Sequence, residues 1–299
     1  MKITTRLGKE VEVNDDYTVD QNWEQFTPEE HARWDTLYRR QRKILPGKAC
    51  KEYLEGLDLL RISKAGIPHY GRLSERLTKA TGWSVVAVPD LVPDDVFFDH
   101  LANRRFPASD FIRGAHQMDY LQEPDNFHDV FGHVPMLANP VFADYMEAYG
   151  KGGQRASGKG VLHNLARLYW YTVEFGLIQR PGQNMQIFGA GILSSKVESV
   201  FCLEDASPNR IHFDLLRVMR SKYRIDDFQQ VYFVINSFEE LFDATLQDFG
   251  PIYKALADLD DLEITDMLGK DKVYTKGSQD YATRRAQGES QENVLNSAA

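Results

Sequence analysis

The run VLHNLARLYWYTVEFGLI, residues 161–178, constrains this chain more than any other stretch. It is apolar nearly all round at helical spacing, so it predicts one helix over 161–178 with other elements packed on every side. At 299 residues and 42% hydrophobic content, the chain can build a core that surrounds such a helix. Glu174 is the anomaly in the run. A buried carboxylate needs a partner or it takes up a proton. No cation lies one turn away, at 170, 171, 177 or 178. Arg167, two turns back, is one candidate partner, and a metal ion is the other.

A second stretch, PDNFHDVFGHVP (124–135), carries His128 and His133. On a continuous α-helix, at ~100° per residue, two rings five positions apart point about 140° away from each other. The flanking residues argue against a continuous helix. Asp125 is the expected N-cap, Gly132 the expected end, and Pro135 disfavours the α region at Val134. A helix ending at Gly132 lets His133 swing back toward His128. Two neighbouring histidines are equally compatible with polar residues satisfied by backbone groups. Joined by Glu174 they supply two imidazoles and one carboxylate, the facial set that favours non-haem Fe(II) and leaves positions open. Zinc hydrolases use the same donors, so ligand type alone leaves the metal open.

The rest of the chain reads mainly as helix. Residues 1–13 suggest a short hairpin, and 14–24 an acidic linker. Thr27 caps a helix whose first position is Pro28, and further helices cover about 48–60 and 70–80. SVVAV (84–88) is a strand. Arg104, Arg105 and Arg113 form a basic cluster able to hold a carboxylate or to satisfy Asp110 and Asp119. Asn139-Pro140 opens another helix. QIFGAGILSSKVES (186–199) reads as a strand, a glycine bend permitting close backbone approach, and a serine turn. Ser194 and Ser195 can reach a histidine's second nitrogen or a substrate carboxylate. Residues 208–218 are expected to be helical, 223–237 to contain a strand, and Ser237 to cap a helix. Apolar periodicity ends near 259. The domain expectation is one catalytic domain over 1–260 and a polar, largely disordered tail over 261–299.

The formal charge of −9 argues against nucleic acid and anionic membrane surfaces as partners. No apolar run is long enough to span a bilayer. Two cysteines without a CxxC motif predict reduced thiols and a cytoplasmic protein.

Three phrases, HDVFGHVP, LYWYTVEFGL and FGAGILSS, occur in that order. Together they resemble the catalytic domain of the pterin-dependent aromatic amino acid hydroxylases, and most of all its bacterial single-domain phenylalanine-hydroxylating members. The resemblance runs over roughly 27–250. It implies a helical basket with a small β component around a non-haem iron. It implies Fe(II) held by His128, His133 and Glu174, a tetrahydrobiopterin or related tetrahydropterin, and O2 as co-substrate. Phe97 falls where the family stacks a ring on the pterin. Asp129 falls where eukaryotic members place glutamate near it. Arg113 matches the arginine for the substrate carboxylate, Trp170 and Ser194 line the amino-acid site, and Tyr169 lies near the iron. Tyr120 falls in a segment over the substrate, and Ser195 beside Ser194 is a candidate supporting residue. Ile225 stands where tyrosine hydroxylases look as if they carry aspartate, and an apolar contact there suits L-phenylalanine. The implied reaction is para-hydroxylation of phenylalanine by a monomer without an allosteric amino-acid site, opening phenylalanine catabolism. Tryptophan or tyrosine hydroxylation by the same chemistry, a zinc metallohydrolase, and a non-catalytic amino-acid or pterin carrier are the competing readings.

Overall fold

The computed structural model describes residues 1–5, 8–119, 121 and 123–291. The chain opens with an antiparallel hairpin, β1 (Lys2–Thr4) against β2 (Glu10–Glu12), with Ile3 opposite Val11. Helix α1 (Pro28–Ile44) begins at a full capping box between Thr27 and Glu30, with Trp34 and Leu37 on its buried face. Helices α2 (Lys51–Leu60) and α3 (Tyr70–Thr81) follow. Strand β3 (Ser84–Val88) covers the predicted SVVAV and pairs in parallel with β4 (Arg105–Ser109), across α4 (Asp94–Ala102). Helix α5 (Pro140–Ala156) starts at Asn139, whose side chain accepts from Phe142 N–H.

The run 161–178 departs from the single helix expected. Helix α6 covers Leu162–Tyr169, the next five residues, Trp170–Glu174, wind as a π-helix, and Leu177–Ile178 is strand β5. From Arg167 onward the run is buried or half-buried as expected, but His163 and Ala166 are exposed and the helical period is not kept. Phe175 N–H reaches back to Trp170 O at 2.8 Å, and Phe175 then leaves helical space. Gly176 lets the chain turn there, since a Cβ would lie 2.1 Å from the Phe188 ring.

The main sheet runs β6 (Gln186–Ile187), β5, β8 (Val231–Ile235), β7 (Asn209–His212), β9 (Val273–Thr275). Between its strands lie α7 (Ala190–Ser194), α8 (Glu198–Glu204), α9 (Leu215–Arg220), α10 (Phe238–Leu246) and α11 (Phe249–Asp258). The expected helix over 208–218 is therefore a strand followed by α9. β7 lies between β8 and β9, where pairing and burial override local helix propensity. The tail also differs from expectation. β9 adds to the sheet edge and α12 (Asp280–Ala286) packs back through Tyr281, which is 3% exposed. One buried aromatic anchors a segment whose composition is otherwise polar.

Candidate metal centre

Each histidine owes its place to the winding of its backbone. Phe127–His133 is a π-helix that continues into a 3-10 turn over Val134–Ala138. The helix does not end at Gly132, and Val134 stays in the α region despite Pro135. The swing expected of His133 is supplied instead by π winding, whose i→i+5 hydrogen bonds bring residues five apart onto one side. Asp125 does cap the segment, since its Oδ1 accepts from His128 N–H at 3.0 Å. Gly132 serves close approach, because a Cβ there would sit 2.8 Å from Ala190 O on α7.

The second π-helix ends on Glu174 and brings its carboxylate to the same point. His128 Nε2 and His133 Nε2 are 3.1 Å apart, and Glu174 Oε1 is 3.1 Å from His133 Nε2. Glu174 Oε2 is 3.6 Å from His128 Nε2. One ligand atom from each residue lies within 4.8 Å of the others, and among the described residues this is the one such cluster of histidine, cysteine and acid groups. Arg167 is not the partner of Glu174. It pairs with Asp261 at 2.5 and 2.6 Å.

Hydrogen bonding fixes the tautomer of His128. Ser194 Oγ donates to Ala190 O at 2.8 Å, so toward His128 Nδ1, 3.0 Å away, it accepts. The ring proton therefore sits on Nδ1, and the Nε2 lone pair faces the cluster. Two donors held ~2.1 Å from a metal at right angles lie about 3.0 Å apart, so the two 3.1 Å spacings fit edges of an octahedral face, while the 3.6 Å spacing, to the other Glu174 oxygen, is wider. Burial pushes the Glu174 carboxyl up, but His133 and His128 outweigh it and hold it well below the usual carboxylate range. It stays ionised, the state that a cation requires. Burial pulls the His128 imidazole down, and Glu174, with Asp129 and Asp125 behind it, more than reverses this.

α7 reaches the site through its glycines, as the close-approach reading of FGAGILSS expected. A Cβ on Gly189 would lie 2.4 Å from Glu174 O, and one on Gly191 3.2 Å from Glu174 Oε2.

The surrounding residues divide. Tyr169 lies 6.2 Å from the His133 ring and 5.6 Å from Phe97, forming an aromatic wall on one side. Asp129 is buried, and its Oδ2 accepts from Ser109 N–H and Oγ–H, both at 2.8 Å. Arg113 is buried beside the site, but neither Asp110 nor Asp119 is its counterion. Asp125 takes its Nε and Nη2 at 2.9 and 2.8 Å, leaving Nη1 without a protein partner among the described residues. Burial pushes the Asp125 carboxyl up, and the Arg113 guanidinium more than offsets it, so the pair stays charged. Trp170 stacks on Tyr223 at 4.4 Å and donates to Gln229 Oε1 at 3.1 Å.

One expectation fails. Ser195 does not support the histidines, because its Oγ accepts from Glu198 N–H at the start of α8. Ile225 is 60% exposed and sits in a polar turn beside the Arg224–Asp226 ion pair. Tyr120 lies outside the described residues.

With this geometry in hand, likeness to known proteins decides the family. A sequence model of the biopterin-dependent aromatic amino acid hydroxylases matches residues 11–255. The chain belongs to this family. Among the hydroxylases it resembles, the phenylalanine-4-hydroxylase of Caulobacter vibrioides is 62% identical over 268 residues, 90% of this chain and 91% of that one. That of Chromobacterium violaceum is 57% identical over 277 residues, 92% of this chain and 93% of that one. The structure of the latter enzyme with iron(III) and 7,8-dihydrobiopterin superposes with a TM-score of 0.85 over 88% of this chain and 95% of that one, at 57% identity. A second, with iron and phenylalanine bound, gives 0.84 at 56% identity, over 88% and 96%. The helical basket expected from the motifs is thus the hydroxylase catalytic fold.

Three residues of this hydroxylase site escaped the sequence reading. Asp125 was legible only as a cap, although an acid three residues before His128 and near a basic cluster was a usable signal. Ser109 and Gln229 gave no signal, because they reach the site from β4 and from the turn before β8.

Proposed function

We propose that this protein hydroxylates L-phenylalanine to L-tyrosine, using O2 and a tetrahydropterin at a single Fe(II) held by His128, His133 and Glu174. The convergence of those three donors carries the reading. An iron held there, with a reduced pterin giving two electrons, would let O2 act as the oxidant, chemistry that a protein side chain cannot supply. The chain's own residues do the rest. Ser194 keeps His128 in the tautomer that offers Nε2. Asp129, fixed by Ser109, and the Phe97 ring orient the pterin. Arg113, with one edge held by Asp125, offers the other to the substrate carboxylate. Trp170 and Ile225 flank the substrate ring, and the Tyr169 and Phe97 rings keep water away.

The same proposal makes the protein a cytoplasmic monomer. Cys50 and Cys202 are both buried free thiols, and α12 turns back onto its own chain. No described helix is long and apolar enough to cross a membrane. Purified protein with Fe(II), a tetrahydropterin and phenylalanine in air should form tyrosine, and none under strict anaerobiosis. Glu174→Ala should abolish both tyrosine formation and stoichiometric iron. A folded variant with normal turnover would overturn the ligand assignment.

A further inference from the structure

The turn at 223–229 is irregular and polar, yet it seats Trp170, the first residue of the π-helix that ends on Glu174. Its conformation is imposed from two sides. From within, Gln229 is 2% exposed, accepts from the Trp170 indole, and donates to Arg224 O at 2.7 Å and Asp227 O at 3.3 Å. From outside comes α12, which lies beyond the residues matched by the family. Tyr281 O–H donates to Asp227 Oδ1, and Arg285 Nε donates to Asp227 Oδ2 at 2.6 Å. The Asp227 side chain is 2% exposed, so both bonds act with little solvent screening. Tyr281 is held in turn by the rings of Phe201 and Phe228, at 5.1 and 5.4 Å, and through its own N–H by Ser207 Oγ.

We infer that α12 is a positioning element for the amino-acid site. Through Asp227, Tyr281 and Arg285 set the shape of the 223–229 turn, and with it how tightly phenylalanine is held and how far it is preferred over bulkier aromatic amino acids. The inference rests on the reading of Trp170 and Ile225 as substrate contacts. It gives the C-terminal segment a role in specificity rather than only in attachment.

The test compares the full-length protein with Tyr281→Phe, Arg285→Gln and the double variant. Tyr281→Phe keeps the buried ring and removes only the hydroxyl. In the double variant, hydrogen exchange in the peptide covering 223–230 should rise about ten-fold while 127–133 stays protected. KM for phenylalanine should rise about five-fold, with kcat, pterin KM and iron affinity unchanged, and relative activity on tryptophan should increase. Unchanged exchange would overturn the inference, as would faster exchange with an unchanged KM. Parallel losses in iron affinity, pterin KM and the 127–133 segment would also overturn it, since they would make α12 a general prop. If the wild type made no tyrosine, the functional reading would fail. The exchange data would still decide whether α12 holds the turn.

Discussion

His128 Nδ1 lies 3.0 Å from Ser194 Oγ, and that hydroxyl has already given its proton to Ala190 O. The serine can therefore only accept, and it holds the imidazole with Nε2 free for a cation. Ser194→Ala should weaken iron binding by roughly 10- to 100-fold, the usual loss for a supporting partner of a metal histidine. Competition against a chelator measures it. Wild-type iron affinity would show that the ring is oriented by packing alone.

Gly189 packs against Glu174 so closely that an added Cβ would meet Glu174 O at 2.4 Å and Gly176 N at 2.5 Å. Both are backbone atoms and cannot rotate away. Gly189→Ala should destabilise the protein by about 1–3 kcal/mol and lower iron affinity, because α7 must move and Ser194 moves with it. Thermal melts with and without iron separate the two effects. A fully stable variant with normal iron affinity would contradict this contact.

Glu198 is buried and, among the described residues, has no cation beside it and accepts only from Tyr232 O–H at 2.7 Å and Gln229 N–H at 3.3 Å. Burial pushes its carboxyl up to about 7, with the two hydrogen bonds opposing. Here the folded state binds the proton more tightly than the unfolded state. The contribution is therefore present below the unfolded value of 4.5 and lost as pH rises toward about 7, flattening above it. Glu198→Gln should remove that slope, a difference of roughly 3 kcal/mol between pH 4.5 and 7. Denaturant midpoints across this window are the measurement, and parallel curves for the two proteins would refute it.

Asn126 is fully buried, and among the described residues neither its amide nitrogen nor its oxygen has a partner. Replacing an unpaired polar group by an apolar one of similar shape is neutral or stabilising. Asn126→Leu should raise Tm by a few degrees, about 1–2 kcal/mol for a chain of this size, with activity retained. A lower Tm would mean that the carboxamide is satisfied in solution.

Much of the site was legible because chemistry leaves marks in sequence. Glu174 stood out as a charge in an apolar run, and the glycines before Ser194 announced close approach. The windings that unite the ligands were not legible. Residue patterns are read against a 3.6-residue period, and nothing in FHDVFGH says that this period is abandoned. The Arg113–Asp125 pair was missed for a different reason, since Asp125 had a sufficient local role as a cap. The tail misled by composition. Its attachment rests on the short strand β9 and on scattered side chains such as Asp261, Tyr281 and Arg285, too few residues to create a periodic signal.

The two π-helices carry a consequence for tolerance to change. Each loop of such a winding encloses one residue more than an ordinary helical turn. Shortening Phe127–His133 or Trp170–Glu174 by a single position would relax the backbone toward regular geometry while keeping every ligand in the chain. The product would fold well and hold nothing, because the donors would diverge. Chain length between the ligands, as much as their identity, is therefore a catalytic property of this molecule.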